Sequence, residues 1–284
     1  MNGSKDLKTI IYFKGVYDTL DLFTDHLIEA FESMGYGTFV YHTANEEVCK
    51  KMLLRLLDES QEFAVVTFNN LGYNLSFEQS EAAEDEEKKP EEHNIWNYFH
   101  IPYIDILMDH PFHYEKPLCN MPETAVILCT DRNHVKYIRR FFKNIHRTDF
   151  LPHAGVELGH KHKPLNDRNI DVLYAGALPV YTVAKMIPDL HSIPEVDGEE
   201  MMRSVLGELV QHPEQTTEQA IEAYVKTVRG DISDGRLQEI IVKMRFLDSY
   251  ATFFFPGAGG AYPCGEWYSC DCIWGWLGSV RMER

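Results

Sequence analysis

Between Lys8 and Gly176 the chain alternates short apolar, β-branched runs with segments whose apolar residues recur every three or four positions. That alternation constrains the fold more than anything else in the sequence, because it predicts parallel strands joined by crossover helices. Lys8 to Phe13 reads as a first strand that stops at Lys14-Gly15. Leu20, Phe23, Leu27, Ala30, Phe31 and Met34 then mark one helical face. Asp18 or Thr19 is placed to cap its start, and Gly35 follows its end. Thr38 to Tyr41 is a second strand. Asn45 to Leu57 is a second helix, and Phe63 to Phe68 is a third strand that ends in Asn69-Asn70. Two further strands, Tyr103 to Met108 and Ala125 to Cys129, each run into polar residues: Asp109, His110 and His113 after the first, Asp131, Arg132 and His134 after the second. Ligands of open α/β sheets bind beyond the carboxyl ends of the strands, so these loops are the candidate site.

Asn133 to Phe142 predicts a helix with a basic outer face. Phe150 to Gly155 is an extended piece entering a turn, and Asp171 to Gly176 is another strand that stops at a glycine. Glu78 to Glu92 interrupts the pattern. Dominated by Glu, Asp and Lys, it reads as a solvated loop or disordered insertion. Beyond about residue 165 the periodicity becomes helical, over Met201–Val210, Thr217–Val228 and Arg236–Tyr250. The expected fold is therefore α/β, in three parts. Residues 1–165 form a Rossmann-like parallel-sheet domain, 166–255 are the mostly helical start of a second, incomplete Rossmann-like domain, and 256–284 are an aberrant or disordered tail.

Charge narrows the function. With 44 acidic and 27 basic residues the net charge is -17, which disfavours nonspecific nucleic-acid binding and docking on an anionic membrane. No apolar run is long enough to span a bilayer, and the first residues lack the apolar core of a signal peptide. The expectation is a cytoplasmic protein. Cys49, Cys119 and Cys129 are scattered, which argues against a disulfide framework.

Several residues suit chemistry. Gly15 sits at a βα turn whose amides can face an anion, although no G-x-G-x-x-G fingerprint is present. His110 and His113 are three apart, but zinc wants a third ligand and Pro111 disfavours helical presentation, so no metal is expected. Asp109 or His110 could serve as a general base; equally, Asp109 could cap the turn while the histidines pack. Asp131 can cap a helix, with His134 in its first turn. His153 and Gly155 lie at another strand end.

The ordered runs IPYIDILMDHPFHY, DRNHVKYIRRFF, FLPHAG and RNIDVLYAGAL resemble the spore-maturation (CgeB-like) glycosyltransferases, bacterial enzymes of the two-domain GT-B type, over roughly residues 5 to 255. The resemblance implies transfer of a sugar from a nucleotide-diphosphate sugar, the co-substrate, to an acceptor hydroxyl on a glycan or protein, with no bound cofactor or metal. It implies an acceptor-side N-terminal domain and a donor domain begun by Asp171 to Gly176. Asp109, His110, His134 and His153 become the candidate catalytic residues. Gly15, Asp131, Arg132, Gly155 and Gly176 become the candidate binding residues.

The C-terminal tail departs from that pattern. After Phe255 it carries three of the six cysteines and three of the four tryptophans, with no helical or alternating period. Cys264, Cys270 and Cys272 lack the paired spacing of a zinc site. Back-translated and read one base later, Trp274-Gly275-Trp276 is forced to Gly-x-Gly, and Trp267 to Cys272 gives a glycine followed largely by Ile/Thr and Val/Ala. A frameshifted, truncated glycosyltransferase of impaired activity is the expectation. The rival is a non-catalytic carbohydrate-binding or interaction module on the same fold. A hydrolase is weaker, since no G-x-S-x-G elbow is present.

Overall fold

The computed structural model describes residues 7–58, 62–79, 91–155, 163–168 and 190–251. Two compact units, Met1–Ala154 and Gly155–Arg284, divide the chain. The first is built from strands β1 (Leu7–Lys14), β2 (Gly37–His42), β3 (Glu62–Phe68), β4 (Ser76–Gln79), β5 (Glu91–Asn94), β6 (Tyr103–Leu107), β7 (Ala125–Cys129) and β8 (Arg147–Phe150). Its helices are α1 (Asp18–Ser33), α2 (Glu46–Leu57), α3 (Ile95–Tyr98), α4 (Glu115–Cys119) and α5 (Arg132–Phe141).

Six strands form one sheet in the order β2-β1-β3-β6-β7-β8, and every neighbouring pair is parallel. The Rossmann-like α/β fold expected from the alternation is present. The central strands show why. Ile10, Ile11, Tyr12 and Val65 are buried on successive positions, as strands covered on both faces must be. Ile10, Tyr12, Val66, Phe68 and Ile106 pack with Leu20 of α1 in one cluster, joined by Phe23, Leu27 and Phe31. Four of the six residues read from the sequence as one helical face, Leu20, Phe23, Leu27 and Phe31, thus form the inner face of α1, whereas Ala30 is exposed and Met34, exposed too, is the C-cap beyond the last turn.

Several details differ from expectation. Tyr17, with extended backbone, is the N-cap of α1, and no side chain caps it. Asp18 and Thr19 lie inside the helix, while the Asp21 carboxylate turns back to the Gly15 N–H at 3.0 and 3.1 Å. The ends of the acidic stretch are not loop. Ser76–Gln79 pairs antiparallel with Glu91–Asn94, setting Glu78 opposite Glu92; residues 80–90 lie outside the described residues. The piece entering at Phe150 is the end of β8, whose Arg147, Thr148 and Asp149 register on β7.

In the second unit the described residues are helical: α6 (Gly198–Gln211), α7 (Thr217–Arg229) and α8 (Asp234–Met244). Met201, Val205, Leu209, Ile221, Val225, Leu237, Ile240 and Met244 are buried. Asp197 caps α6 by accepting from Glu199 and Glu200 N–H. Arg236 of α8 grips Glu195 through two bonds of 2.6 and 2.8 Å. The predicted strand Asp171–Gly176 and the tail 256–284 lie outside the described residues. No helix among the described residues is long and apolar enough to cross a membrane.

Candidate active site

All strands of the main sheet run the same way, so the loops after β1, β3, β6, β7 and β8 share one edge. Strand order reverses between β1 and β3, and a ligand crevice of such a sheet opens at that reversal. Gly15 to Tyr17 flank it on one side and Asn69 and Asn70 on the other.

At the β1 turn, Gly15 adopts φ +94, and a Cβ there would lie 2.5 Å from His42 Cε1. The glycine is required by its backbone conformation and by the approach of the next loop. Its N–H is already engaged by Asp21, and Lys14 Nζ is paired with Asp25 at 2.6 Å. With Asp18 and Asp21 both in the first helical turn, the place where an anion would sit is taken by the chain's own carboxylate. Tyr17 is 60% exposed, which leaves its ring open to a ligand.

Asp109, just beyond β6, is exposed. Its Oδ2 accepts from Asn69 Nδ2 at 3.0 Å and from the Tyr114 hydroxyl at 2.7 Å. Oδ1 has no hydrogen-bond partner among the described residues. Burial, followed by the hydrogen bond to Asp109, holds the Tyr114 phenol far above its ordinary value, so Tyr114 is a donor here and not a base. Asn69 is fixed in turn: its N–H donates to Ile106 O at 3.2 Å and its Oδ1 accepts from Met108 N–H at 2.8 Å.

His110 has a different role. Its Nδ1 accepts from Phe112 N–H at 3.2 Å, capping the short 3-10 turn Pro111–Tyr114. The turn is capped by His110 and not by Asp109, because the Asp109 carboxylate is drawn to Asn69 and Tyr114. The His110 ring stacks on Phe112 with centroids 3.6 Å apart and meets His134 edge-on at 4.6 Å and Tyr137 at 5.0 Å. Asp131 caps α5, accepting from Asn133 N–H at 2.6 Å, and the Arg132 guanidinium lies 4.1 Å from the Phe150 ring centroid. The predicted residues therefore fall into two groups, Asp109 with its donors and His110 with His134. His153 is exposed beyond β8 and belongs to neither group. Gly155 opens the second unit, and Gly176 lies outside the described residues. Among the described residues no cluster of His, Cys, Asp or Glu is arranged to hold a metal ion.

Sequence reasoning missed Tyr17, Asn69, Asn70, Asp105 and Tyr114. Asp105 on β6 is completely buried, and burial pushes its carboxyl up to about 7, partly offset by a hydrogen bond from Asn70 N–H. A charge-bearing residue inside an otherwise apolar strand was the available signal. Comparison with family models, with curated proteins and with solved structures finds no match to this chain.

Proposed function

We propose that the chain is a glycosyltransferase of the nucleotide-sugar-dependent class, and that its first unit holds the acceptor. The observation that supports this most is the Asp109 carboxylate. Two donors converge on Oδ2 and leave Oδ1 of an exposed carboxylate unengaged, as a general base needs. Asp109 Oδ1 takes the proton of an acceptor hydroxyl as that oxygen bonds to the anomeric carbon of the donor sugar. The bond from that carbon to the diphosphate breaks, and the diphosphate leaves with the electron pair. The exposed Tyr17 ring offers a flat face for a sugar ring, a common use of aromatic side chains with one apolar and one wet end.

The β1 turn supports the acceptor assignment. Its amide is occupied by Asp21 and its lysine by Asp25, so the first unit offers no vacant phosphate cradle there. The donor diphosphate is assigned to the second unit on the resemblance alone.

The test is thermal melting with nucleoside diphosphates and with candidate glycans, on wild type and Asp109→Asn. A ligand at a hundred times its Kd stabilises the folded state by about 2.7 kcal/mol. Diphosphate-induced stabilisation that survives in Asp109→Asn, with sugar transfer lost, supports the transferase. Stabilisation by glycans but by no diphosphate supports the carbohydrate-binding module instead.

A further inference from the structure

We infer that Asp105, which touches no ligand surface, is the positioning residue for Asp109, acting through the Asn69–Asn70 turn. The inference uses the proposed function only to give Asp109 its role; the geometry and its test stand apart from it.

Strand β3 ends at Phe68, paired with Ile106 of β6. Beyond that point the parallel ladder should stop, but two asparagines extend it. Asn69 and Asn70 have φ of +47 and +64, two consecutive left-handed residues without glycine. Asparagine tolerates this region better than most residues, yet such conformations persist only where the surroundings enforce them. The enforcement is specific. Asn70 N–H donates to Asp105 Oδ1 at 2.9 Å, a buried, charge-assisted type of bond whenever the acid is ionised. With the turn held there, the Asn69 side chain lies along the end of β6. Its Oδ1 accepts Met108 N–H as a strand carbonyl would, and its Nδ2 reaches Asp109. A side-chain amide thus replaces the next peptide group of the ladder.

The energetics make an incidental Asp105 implausible. A buried carboxyl is costly unless it is satisfied, and here Oδ2 has no partner, nor does either side-chain atom of the 4% exposed Asn70. A hydrophobic residue paired with Thr67 and Ile127 across the sheet would give the same strand without that cost. What it would not give is an acceptor for Asn70 N–H, the side-chain bond that joins the backbone bond from Asn69 N–H to Ile106 O in holding the turn.

The test uses full-length protein with Asp105→Asn, which keeps one oxygen acceptor, and Asp105→Leu, which keeps none. The readouts are amide hydrogen exchange at Met108 and the NMR signals of the Asn69 side-chain amide. Loss of a hydrogen bond worth about 1.4 kcal/mol makes Met108 exchange roughly tenfold faster. That acceleration is expected in Asp105→Leu and in Asn69→Ala, with Ile138 in α5 unchanged; Asp105→Asn should match wild type. Their double variant should be no faster than either single one. In wild type, a through-hydrogen-bond coupling between Asn70 N and Asp105 Cγ is expected, and this readout remains if Asp105→Leu fails to fold. Absence of that coupling overturns the inference, as does unchanged Met108 exchange in a folded Asp105→Leu. Loss of sugar transfer in Asp109→Asn with this geometry intact would bear on the proposed function alone.

Discussion

Asn69 and Asp109 are joined across the ends of two neighbouring strands, Nδ2 to Oδ2 at 3.0 Å, and the same amide accepts Met108 N–H. One half-buried side chain therefore closes the seam between β3 and β6. Asn69→Ala removes both bonds and leaves Met108 N–H without a protein acceptor. It should cost about 1–2 kcal/mol in urea unfolding, and sugar transfer should fall more steeply than stability, because Asp109 loses one of its two anchors. A variant with full transfer and reduced stability would detach Asn69 from the chemistry.

Asp105 sets a pH dependence. Its folded-state value of about 7 lies above that of an unfolded aspartate, near 4, so the folded chain holds the proton more tightly. The associated stability is complete below about pH 4 and is lost as pH rises through about 7. Asp105→Asn cannot ionise. Urea midpoints should show it more stable than wild type at about pH 8, with a flatter profile down to about pH 5. Parallel profiles for the two proteins would contradict the assignment.

Two glycines with nearly equal φ give a controlled comparison. Gly15 at +94 has His42 within 2.5 Å of a would-be Cβ, while Gly35 at +91 has nothing within 4 Å. Gly35→Ala should cost about 1 kcal/mol from backbone strain alone. Gly15→Ala adds displacement of His42 and Thr43 and should cost about 2–3 kcal/mol. Equal melting temperatures for the two variants would refute the steric part.

The Arg236–Glu195 pair anchors the start of α8 to the segment before α6. Two hydrogen bonds from Arg236 hold the Glu195 carboxyl down at about 2. A depressed value means stability present above the unfolded pKa and lost as pH falls through the folded one. Both groups are partly exposed, so Glu195→Gln should cost only about 1 kcal/mol at neutral pH. The difference from wild type should shrink as the medium is acidified from pH 5 toward pH 2, and a cost that grew on acidification would exclude the pairing.

Much of the fold was legible because alternation is a strong signal. Ala125–Cys129 appears as read, and its alternating burial is the period-two pattern itself. β4 and β5 were hidden because glutamates have low strand propensity and Glu78 faces Glu92. Asp109 could be picked out because it follows an apolar run. Its supports could not: Asn69 is distant in sequence, and a register that aligns Phe68 with Ile106 cannot be deduced from either strand alone. The sequence leaves His110 open between a chemical and a packing role, and its Nδ1, spent on a backbone N–H, and its face, laid on Phe112, favour packing.

The burial of Asp105 also makes folding a proton-consuming event. Between about pH 5 and pH 6 the unfolded chain carries this acid largely ionised and the folded chain carries it neutral. Each molecule that folds there withdraws a proton from its surroundings, and each that opens at β6 returns one. The heat released on refolding therefore carries a contribution that depends on the ionisation enthalpy of the buffer, and the difference between wild type and Asp105→Asn in a calorimeter reads this single side chain even where no spectroscopic probe is attached to it.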